Sequence, residues 1–377
     1  MTDRLDRLRA SMEEAELDAF FVGCAVDDIF GTHSANRRYL SGFSGSTGYV
    51  FITATDAVIV ADFRYTEQAE QECVPRGLRV HKTEGAIGDW WPKLCAELGL
   101  GGKRVGLSRA DTTLGLYTRL WDSIAEMPAE EAPQLMPAPG IVEELRAVKD
   151  VEELATLQGA IDIGDRALER VAANIDAAMT EIELARAVQQ AVLEEGGEGI
   201  AFGTIAASGD AAARPHASPR DVPVGKGRTI VIDMGARLRG YCSDLTRTIS
   251  AGPFPEEFKS IYEIVFEAQQ TAIERVEAGM SGKDAHALAA DVIDSYGYDE
   301  YFGHGLGHGV GLDVHEAPYL GKSSQDTLED GMVFTIEPGI YLPGRGGVRI
   351  EDIVVLEQGR ARVLSHAPKL SVRGAKP

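Results

Sequence analysis

From residue 303 to 311 every second residue is glycine, in the run Gly303-His-Gly-Leu-Gly-His-Gly-Val-Gly-Leu. A helix there would lose about 1 kcal/mol at each glycine relative to alanine, so the run is expected to be extended. With the two-residue period of a strand, His304, Leu306, His308 and Val310 then face one side. The glycine side permits close approach by a neighbouring backbone or a substrate. His315 follows in Asp313-Val-His-Glu, where the strand should bend, so that three imidazoles fall within twelve residues. A lone histidine reads as structural, but three together among small residues read as a site.

Several acids sit at the ends of apolar runs. Asp233 ends Thr229-Ile-Val-Ile, Glu337 ends Val333-Phe-Thr-Ile and Glu351 follows Val348-Arg-Ile. An ionised carboxylate in low dielectric costs several kcal/mol unless a cation answers it. Arg247 or Arg349 could each neutralise one acid, but Asp233, Asp244, Glu337 and Glu351 together carry four negative charges. Two divalent cations would balance them, and with His308 as a nitrogen donor the set suits Mn²⁺, Co²⁺, Fe²⁺ or Zn²⁺.

The rest of the composition narrows the function classes. Thirty-seven Lys and Arg against 59 Asp and Glu give a net charge of −22, which disfavours nucleic acids and anionic membranes as partners. Cys24, Cys73, Cys95 and Cys242 form no Cys-x-x-Cys pair, which fits a reducing cytoplasm. The N-terminal Met-Thr-Asp-Arg-Leu-Asp-Arg-Leu-Arg reads as a charged amphipathic helix rather than a secretory signal, and no apolar stretch is long enough to cross a bilayer. His216, in Arg214-Pro-His-Ala-Ser-Pro, reads on spacing alone as loop decoration, while His33, His81, His286 and His366 read as structural.

At 377 residues the chain is long enough for two or three domains. The first third alternates helices and strands: a helix near Leu5 to Glu16, strands at Ala19 to Gly23, Gly48 to Thr53 and Ala57 to Ala61, then a helix from Arg64 to Cys73. Pro128, Pro133, Pro137, Pro139 and Gly140 mark the boundary. We therefore expect an α/β domain over 1–132, a linker and connecting helix over 133–150, and an α+β domain over 151–377 with helices at Val151 to Ile175, Glu181 to Glu194, Glu256 to Val276 and Lys283 to Ser295.

The motifs Val231-Ile-Asp-Met-Gly, Ser243-Asp-Leu-Thr-Arg-Thr, His304-Gly-Leu-Gly-His-Gly-Val-Gly-Leu-Asp-Val-His-Glu, Thr335-Ile-Glu-Pro-Gly-Ile-Tyr and Val348-Arg-Ile-Glu-Asp occur in this order. Together they resemble the pita-bread metallopeptidases (M24), which include aminopeptidase P, prolidase, methionine aminopeptidase and the related creatinase. In the first domain, Asn36-Arg-Arg-Tyr-Leu-Ser-Gly-Phe-Ser-Gly-Ser and Ala61-Asp-Phe-Arg-Tyr-Thr-Glu-Gln-Ala are similar to the Xaa-Pro-cleaving branch. The resemblance implies a creatinase-like N-terminal domain before a pita-bread catalytic domain, and two divalent ions, Mn²⁺ first. By the same matching, Asp233 binds one metal, Asp244 and Glu351 bridge both, and His308 and Glu337 complete the other shell. His216, His304 and His315 match the outer histidines that position substrate and move protons, and Arg349 matches a partner of a ligand carboxylate.

The implied reaction is metal-assisted hydrolysis of the bond before proline. Water of lowered pKa attacks the carbonyl carbon, Glu337 takes its proton, His315 helps to stabilise the oxyanion, and His216 and His304 orient the proline side. Proline has no N–H and a locked ring, so a compact apolar pocket is expected, with Tyr301 and Phe302 as candidates for its wall. An Xaa-Pro aminopeptidase is the first reading and an Xaa-Pro dipeptidase (prolidase) the second, the latter needing a cation for the free proline carboxylate, for which Arg38, Arg214 and Arg345 are candidates. A catalytically silent peptide-binding module is the alternative from another class. The substrates expected are proline-containing peptides, and the family resemblance suggests a homodimer or homotetramer.

Overall fold

The structure, a computed structural model, describes residues 2–23 and 34–370, so Cys24 and His33 lie outside the described residues. The chain divides into two compact units, Met1–Arg146 and Ala147–Pro377.

The first unit comprises α1 (Thr2–Glu14), β1 (Ala19–Val22), α2 (Ala35–Ser41), β2 (Tyr49–Thr53), β3 (Ala57–Asp62), α3 (Thr66–Cys73), β4 (Arg79–Thr83), α4 (Ile87–Glu97), β5 (Arg104–Ser108), α5 (Leu114–Ile124) and β6 (Gln134–Ala138), with α6 (Ile141–Ala147) running to its boundary. The strands form one mixed sheet in the order β4-β3-β2-β1-β5-β6. Phe21, Phe51 and Trp91 are wholly buried on it, with the Phe21 and Trp91 rings edge to face at 5.1 Å.

Two features differ from the sequence reading. Of the stretch expected to be a linker, residues 134–138 form the edge strand β6, where Pro137 is tolerated because an edge need not donate on both sides. Helix α2 escaped notice because it is one short motif: Ser34 caps its start by accepting from the Arg37 N–H, and Gly42 ends it at φ 69°. Arg37 is fully buried and donates to the carbonyls of Gly45 and Gly48, which fixes the loop that follows.

The second unit begins with α7 (Val151–Ala173) and α8 (Glu181–Glu194), followed by β7 (Gly199–Ile200), β8 (Ile205–Ser208), β9 (Ile230–Met234), β10 (Ala236–Leu238), β11 (Tyr241–Cys242) and β12 (Leu245–Ile249). Then come α9 (Glu256–Arg275), α10 (Gly282–Ser295), β13 (Gly307–Gly309), β14 (Glu316–Leu320), β15 (Val333–Ile336), β16 (Gly339–Leu342), β17 (Gly346–Arg349), β18 (Asp352–Glu357) and β19 (Arg360–Val363). Helices α7 and α8 pack Leu168, Leu184 and Val188 with Ile230 and Ile232 of the sheet β12-β9-β8. Helices α9 and α10 pack Ile261, Val265 and Ala289 with Phe334 and Val354 of the sheet β14-β13-β15-β18-β19. The architecture is thus α/β followed by α+β.

The glycine-alternating run is extended only at β13, and its register shifts between His308 and Gly309. The expected common face is therefore broken. His304 and His308 line a cavity, whereas Leu306 and Val310 are buried in two different apolar clusters. The glycines do allow close approach: a Cβ on Gly307 would lie 1.9 Å from the Thr335 carbonyl oxygen, and one on Gly309 2.1 Å from that of Ala317.

Candidate metal centre

All five acid and histidine candidates reach one cavity of 710 Å³ in the second unit. Asp233 lies in β9, opposite Thr246 of β12, and Asp244 immediately precedes β12. His308 sits in β13, Glu337 directly follows β15, and Glu351 occupies the break between β17 and β18. At that break the Glu351 N–H donates to the Thr246 carbonyl at 3.1 Å. Asp244, Glu337 and Glu351 thus sit just outside strands, while Asp233 and His308 project from within them.

Asp244, His308 and Glu351 each present a ligand atom within 4.8 Å of the others. His308 Nε2 is 3.3 Å from Glu337 Oε1 and 3.7 Å from Asp244 Oδ2. Its Nδ1 donates to the Gly309 carbonyl at 3.1 Å, an arrangement that leaves Nε2 as the ligating nitrogen. Thr335 fixes both neighbours, accepting from the His308 N–H at 3.1 Å and donating to Glu337 at 3.2 Å.

The electrostatics fit a cationic guest. Burial, and then the charges of Glu351, Asp233 and Glu337, push Asp244 well above the usual carboxylate range. Burial, and then Glu337 and Asp233, do the same to Glu351. Burial also raises Asp233 even though Arg349 pairs with it. Burial alone would raise Glu337 too, but the hydrogen bond and charge of His308 outweigh it and hold it at about 2. The Asp233 Oδ1 atom is buried without a hydrogen-bond partner, an oxygen aimed at nothing the protein supplies. Four crowded carboxylates, one orphaned oxygen and one imidazole make a donor set suited to hard divalent cations.

The outer histidines converge on the same cavity. His216 lies on the loop after β8, His304 five residues before the end of β13, and His315 just before β14, with its ring 4.2 Å from that of His308. Desolvation by its surroundings, and then the charge of His308, lower His315 below the usual imidazole range, although the residue keeps an exposed face. His304 Nδ1 donates to the Gly305 carbonyl at 2.7 Å, and its Nε2 meets the Tyr341 hydroxyl at 2.9 Å. The same hydroxyl accepts from Arg349 Nη1 at 3.0 Å, so His304 and Asp233 are joined through Tyr341 and Arg349.

Tyr341 and Thr246 escaped the sequence reading. Thr246 donates to Glu351 Oε2 at 2.7 Å and accepts from Arg349 Nε at 3.0 Å. Their signal was present in the motifs Glu337-Pro-Gly-Ile-Tyr and Asp244-Leu-Thr, which name the residue types but not their orientation.

Other candidates fall away from the site. Arg247 pairs with Asp352 at 2.7 Å, not with any of the four acids. Tyr301 and Phe302 do not line the cavity: Phe302 is buried against His286 and His304, and Tyr301 is 36% exposed. Phe202, Ile205, Val314 and Leu320 supply apolar lining instead. Arg345 pairs with Glu257, and neither it nor Arg214 lines the cavity. His81 lies 3.7 Å from Glu97, His366 donates its backbone N–H to Asp165, and His286 is buried.

Comparison with known proteins places the chain among relatives of the same two-domain order. Residues 155–358 match the model of metallopeptidase family M24, and residues 4–148 that of the creatinase/prolidase N-terminal domain. An uncharacterized peptidase of Bacillus subtilis is 36% identical, over 95% of this chain and 99% of its own. An Xaa-Pro dipeptidase from Bacillus anthracis superposes with a TM-score of 0.90 at 36% identity, covering 98% of each chain. An X-Pro aminopeptidase from Thermotoga maritima does so with a TM-score of 0.86 at 35% identity, covering 97% of this chain and 99% of its own. With its donor set, its two-domain order and these relatives in agreement, the chain belongs to metallopeptidase family M24.

Proposed function

We propose that this protein is an Xaa-Pro aminopeptidase, hydrolysing the bond between an N-terminal residue and a following proline with the help of two divalent ions, Mn²⁺ first among Mn²⁺, Co²⁺, Zn²⁺ and Fe²⁺. One observation carries the reading: a carboxylate-rich cluster and three histidines open onto the same 710 Å³ cavity. Asp233 would hold one ion, His308 and Glu337 the other, and Asp244 and Glu351 both. Bound there, the ions would polarise the scissile carbonyl and lower the pKa of water toward neutrality.

The chain's own residues do the rest. His308 can ligate only as neutral imidazole, so its Nε2 proton is lost, and Glu337, 3.3 Å from that nitrogen, is the carboxylate placed to accept the proton of the attacking water. His315 offers an imidazole N–H to the developing oxyanion. His304, clamped by Gly305 and Tyr341, and His216 form the side against which the prolyl residue lies. The apolar lining of Phe202, Ile205, Val314 and Leu320 suits a ring with no N–H to satisfy.

Length preference follows from the cations. Among the described residues of the cavity lining there is no lysine, and its single guanidinium, Arg349, is committed to Asp233 and Tyr341. That disfavours a free proline carboxylate at this depth and supports longer peptides. The dipeptidase reading is kept open by the relatives named as Xaa-Pro dipeptidases and by the histidines, which could receive a carboxylate. The intact donor set speaks against a silent binding module. We place the protein in the cytoplasm as a homodimer or homotetramer; among the described residues, no helix is long and apolar enough to cross a membrane.

The test compares Ala-Pro with Ala-Pro-Ala-Ala in the presence of each metal. Release of alanine from the tetrapeptide supports the aminopeptidase, cleavage of the dipeptide alone replaces it with the prolidase, and hydrolysis of neither sinks both.

A further inference from the structure

The loop that carries His216 is closed at its neck by one buried carboxylate. Ser208 ends β8, a 3₁₀ turn spans Gly209–Ala213, and the chain then runs without regular structure through Pro219 to Arg220. Pro215, His216, Ala217, Ser218 and Pro219 from this segment line the cavity. Glu181, the first residue of α8, is fully buried at 0% exposure. Its Oε1 accepts from the Ser208 N–H at 2.8 Å, the Ser208 hydroxyl at 2.7 Å and Arg220 Nη2 at 2.8 Å. Its Oε2 accepts from the Arg220 N–H at 2.9 Å and from Arg220 Nε at 2.8 Å.

The residue before the loop and the residue after it therefore meet on a single carboxylate. Arg220 Nη2 also reaches the Ser208 carbonyl at 3.2 Å, completing the neck. Helix α8 adds its own free donors: the Glu181 N–H bonds the Val222 carbonyl at 3.1 Å and the Ile182 N–H bonds that of Arg220 at 3.2 Å. Residues 209–219 thus form a compact loop with adjoining ends, the kind of element on which functional side chains are presented. On the cavity side, Arg349 Nη1 holds the Pro215 carbonyl at 3.3 Å, so the loop is tied at its neck and beside the carboxylates.

A packed apolar neck could close such a loop at no loss of stability, since buried ion pairs seldom outperform hydrophobic substitutes. What five directed hydrogen bonds add is a single geometry. We propose that Glu181 and Arg220 are positioning residues of the peptidase site, their clasp fixing the 209–219 loop so that His216 is held at the cavity wall. The inference rests on the proposed function in giving His216 to the substrate, while the clasp itself stands on geometry alone.

The test uses the full-length, metal-loaded protein with Arg220→Ala and Arg220→Lys, each alone and combined with His216→Ala. Arg220→Ala is expected to lower kcat/KM for Ala-Pro-Ala-Ala roughly 10- to 100-fold, the scale of a small misplacement in a preorganised site. Arg220→Lys keeps the charge and recovers part of it. In the His216→Ala background, Arg220→Ala should change kcat/KM by less than about twofold, because a clasp acting through His216 has nothing left to position. Equal losses with and without His216 would overturn the proposal. Amide hydrogen exchange supplies a readout independent of peptide cleavage: residues 209–219 should exchange faster in Arg220→Ala, with residues 307–309 unchanged. Unaltered protection of 209–219 would contradict the clasp, whereas faster exchange there in a protein that cleaves no peptide would support the clasp and remove only the peptidase reading. If Arg220→Ala does not fold, the same comparisons on Arg220→Lys decide the matter.

Discussion

The Tyr341 hydroxyl lies 2.9 Å from His304 Nε2 and accepts from Arg349 Nη1 at 3.0 Å, so one phenol orients a histidine of the cavity and the arginine that pairs with Asp233. Because Arg349 can only donate, the phenol's own proton is available to His304, and with Nδ1 on the Gly305 carbonyl the ring is fixed as the neutral Nδ1–H tautomer. Burial, as the largest cause, pushes the Tyr341 hydroxyl up to about 12, which keeps it protonated in this role.

Tyr341→Phe should therefore leave the fold intact and disturb the site. Loss of one buried hydroxyl costs about 1 kcal/mol of stability, read by chemical denaturation. The freed His304 ring is expected to lower kcat/KM for Ala-Pro-Ala-Ala by on the order of tenfold to a hundredfold. Activity equal to that of the parent protein would show that the phenol does not orient His304.

Glu351→Gln should stabilise the metal-free protein while destroying its response to metal. Asp244 and Glu351 are held well above the usual carboxylate range by burial first and then by neighbouring carboxylates, Glu351, Asp233 and Glu337 for Asp244 and Glu337 and Asp233 for Glu351. A carboxyl whose folded pKa is raised binds its proton more tightly folded than unfolded, so stability falls as pH climbs from about 4 through the raised values. Removing one repelling charge should raise the melting temperature of the chelated protein at pH 7 by about 2–4 °C and flatten that pH slope. Added Mn²⁺ should raise the melting temperature of the parent and not of the variant. A lower melting temperature for chelated Glu351→Gln than for the chelated parent would contradict this.

The glycines of the 303–311 run are not equivalent. A methyl at Gly307 would lie 1.9 Å from the Thr335 carbonyl, whereas one at Gly303 meets nothing within 4 Å. Gly307→Ala is expected to cost about 3 kcal/mol and to displace Thr335 from His308, while Gly303→Ala should stay within about 0.5 kcal/mol of the parent. Urea titrations of the two variants side by side check the contrast.

Cys73, Cys95 and Cys242 are buried, and burial pushes each thiol up to about 12. At pH 8 only about one in ten thousand of each is thiolate. A disulfide reagent should leave these three untouched in the folded protein and titrate them after unfolding in urea. Rapid modification of any of them in the native state would show that its neighbourhood opens.

The features legible in sequence were those in which residue type implies an environment. Acids at the ends of apolar runs such as Thr229-Ile-Val-Ile-Asp233 imply a buried cation, and the structure brings Asp233, Asp244, Glu337 and Glu351 to His308 in one cavity. Helices with a strong apolar period and an N-cap were equally plain: Thr180 and Glu183 form a capping box at the start of α8. What escaped depends on tertiary direction. No pattern reveals that the bulge at His308 and Gly309 sends Val310 into one core while Leu306 enters another. Nor does spacing show that Arg220 donates to the buried carboxylate of Glu181, 39 residues away, at the neck of the loop that carries His216. Proline at an edge strand looks like a linker until its neighbour β5 is seen.

Metal-dependent release of an N-terminal residue before proline is the activity on which the proposed function stands. Protein stripped by chelation and dialysed should cut Ala-Pro-Ala-Ala at a background rate; titrated with Mn²⁺, it should release free alanine at a rate that levels off when two ions are bound per chain. Saturation at two ions with no alanine released, whichever of Mn²⁺, Co²⁺, Zn²⁺ or Fe²⁺ is supplied, would contradict it.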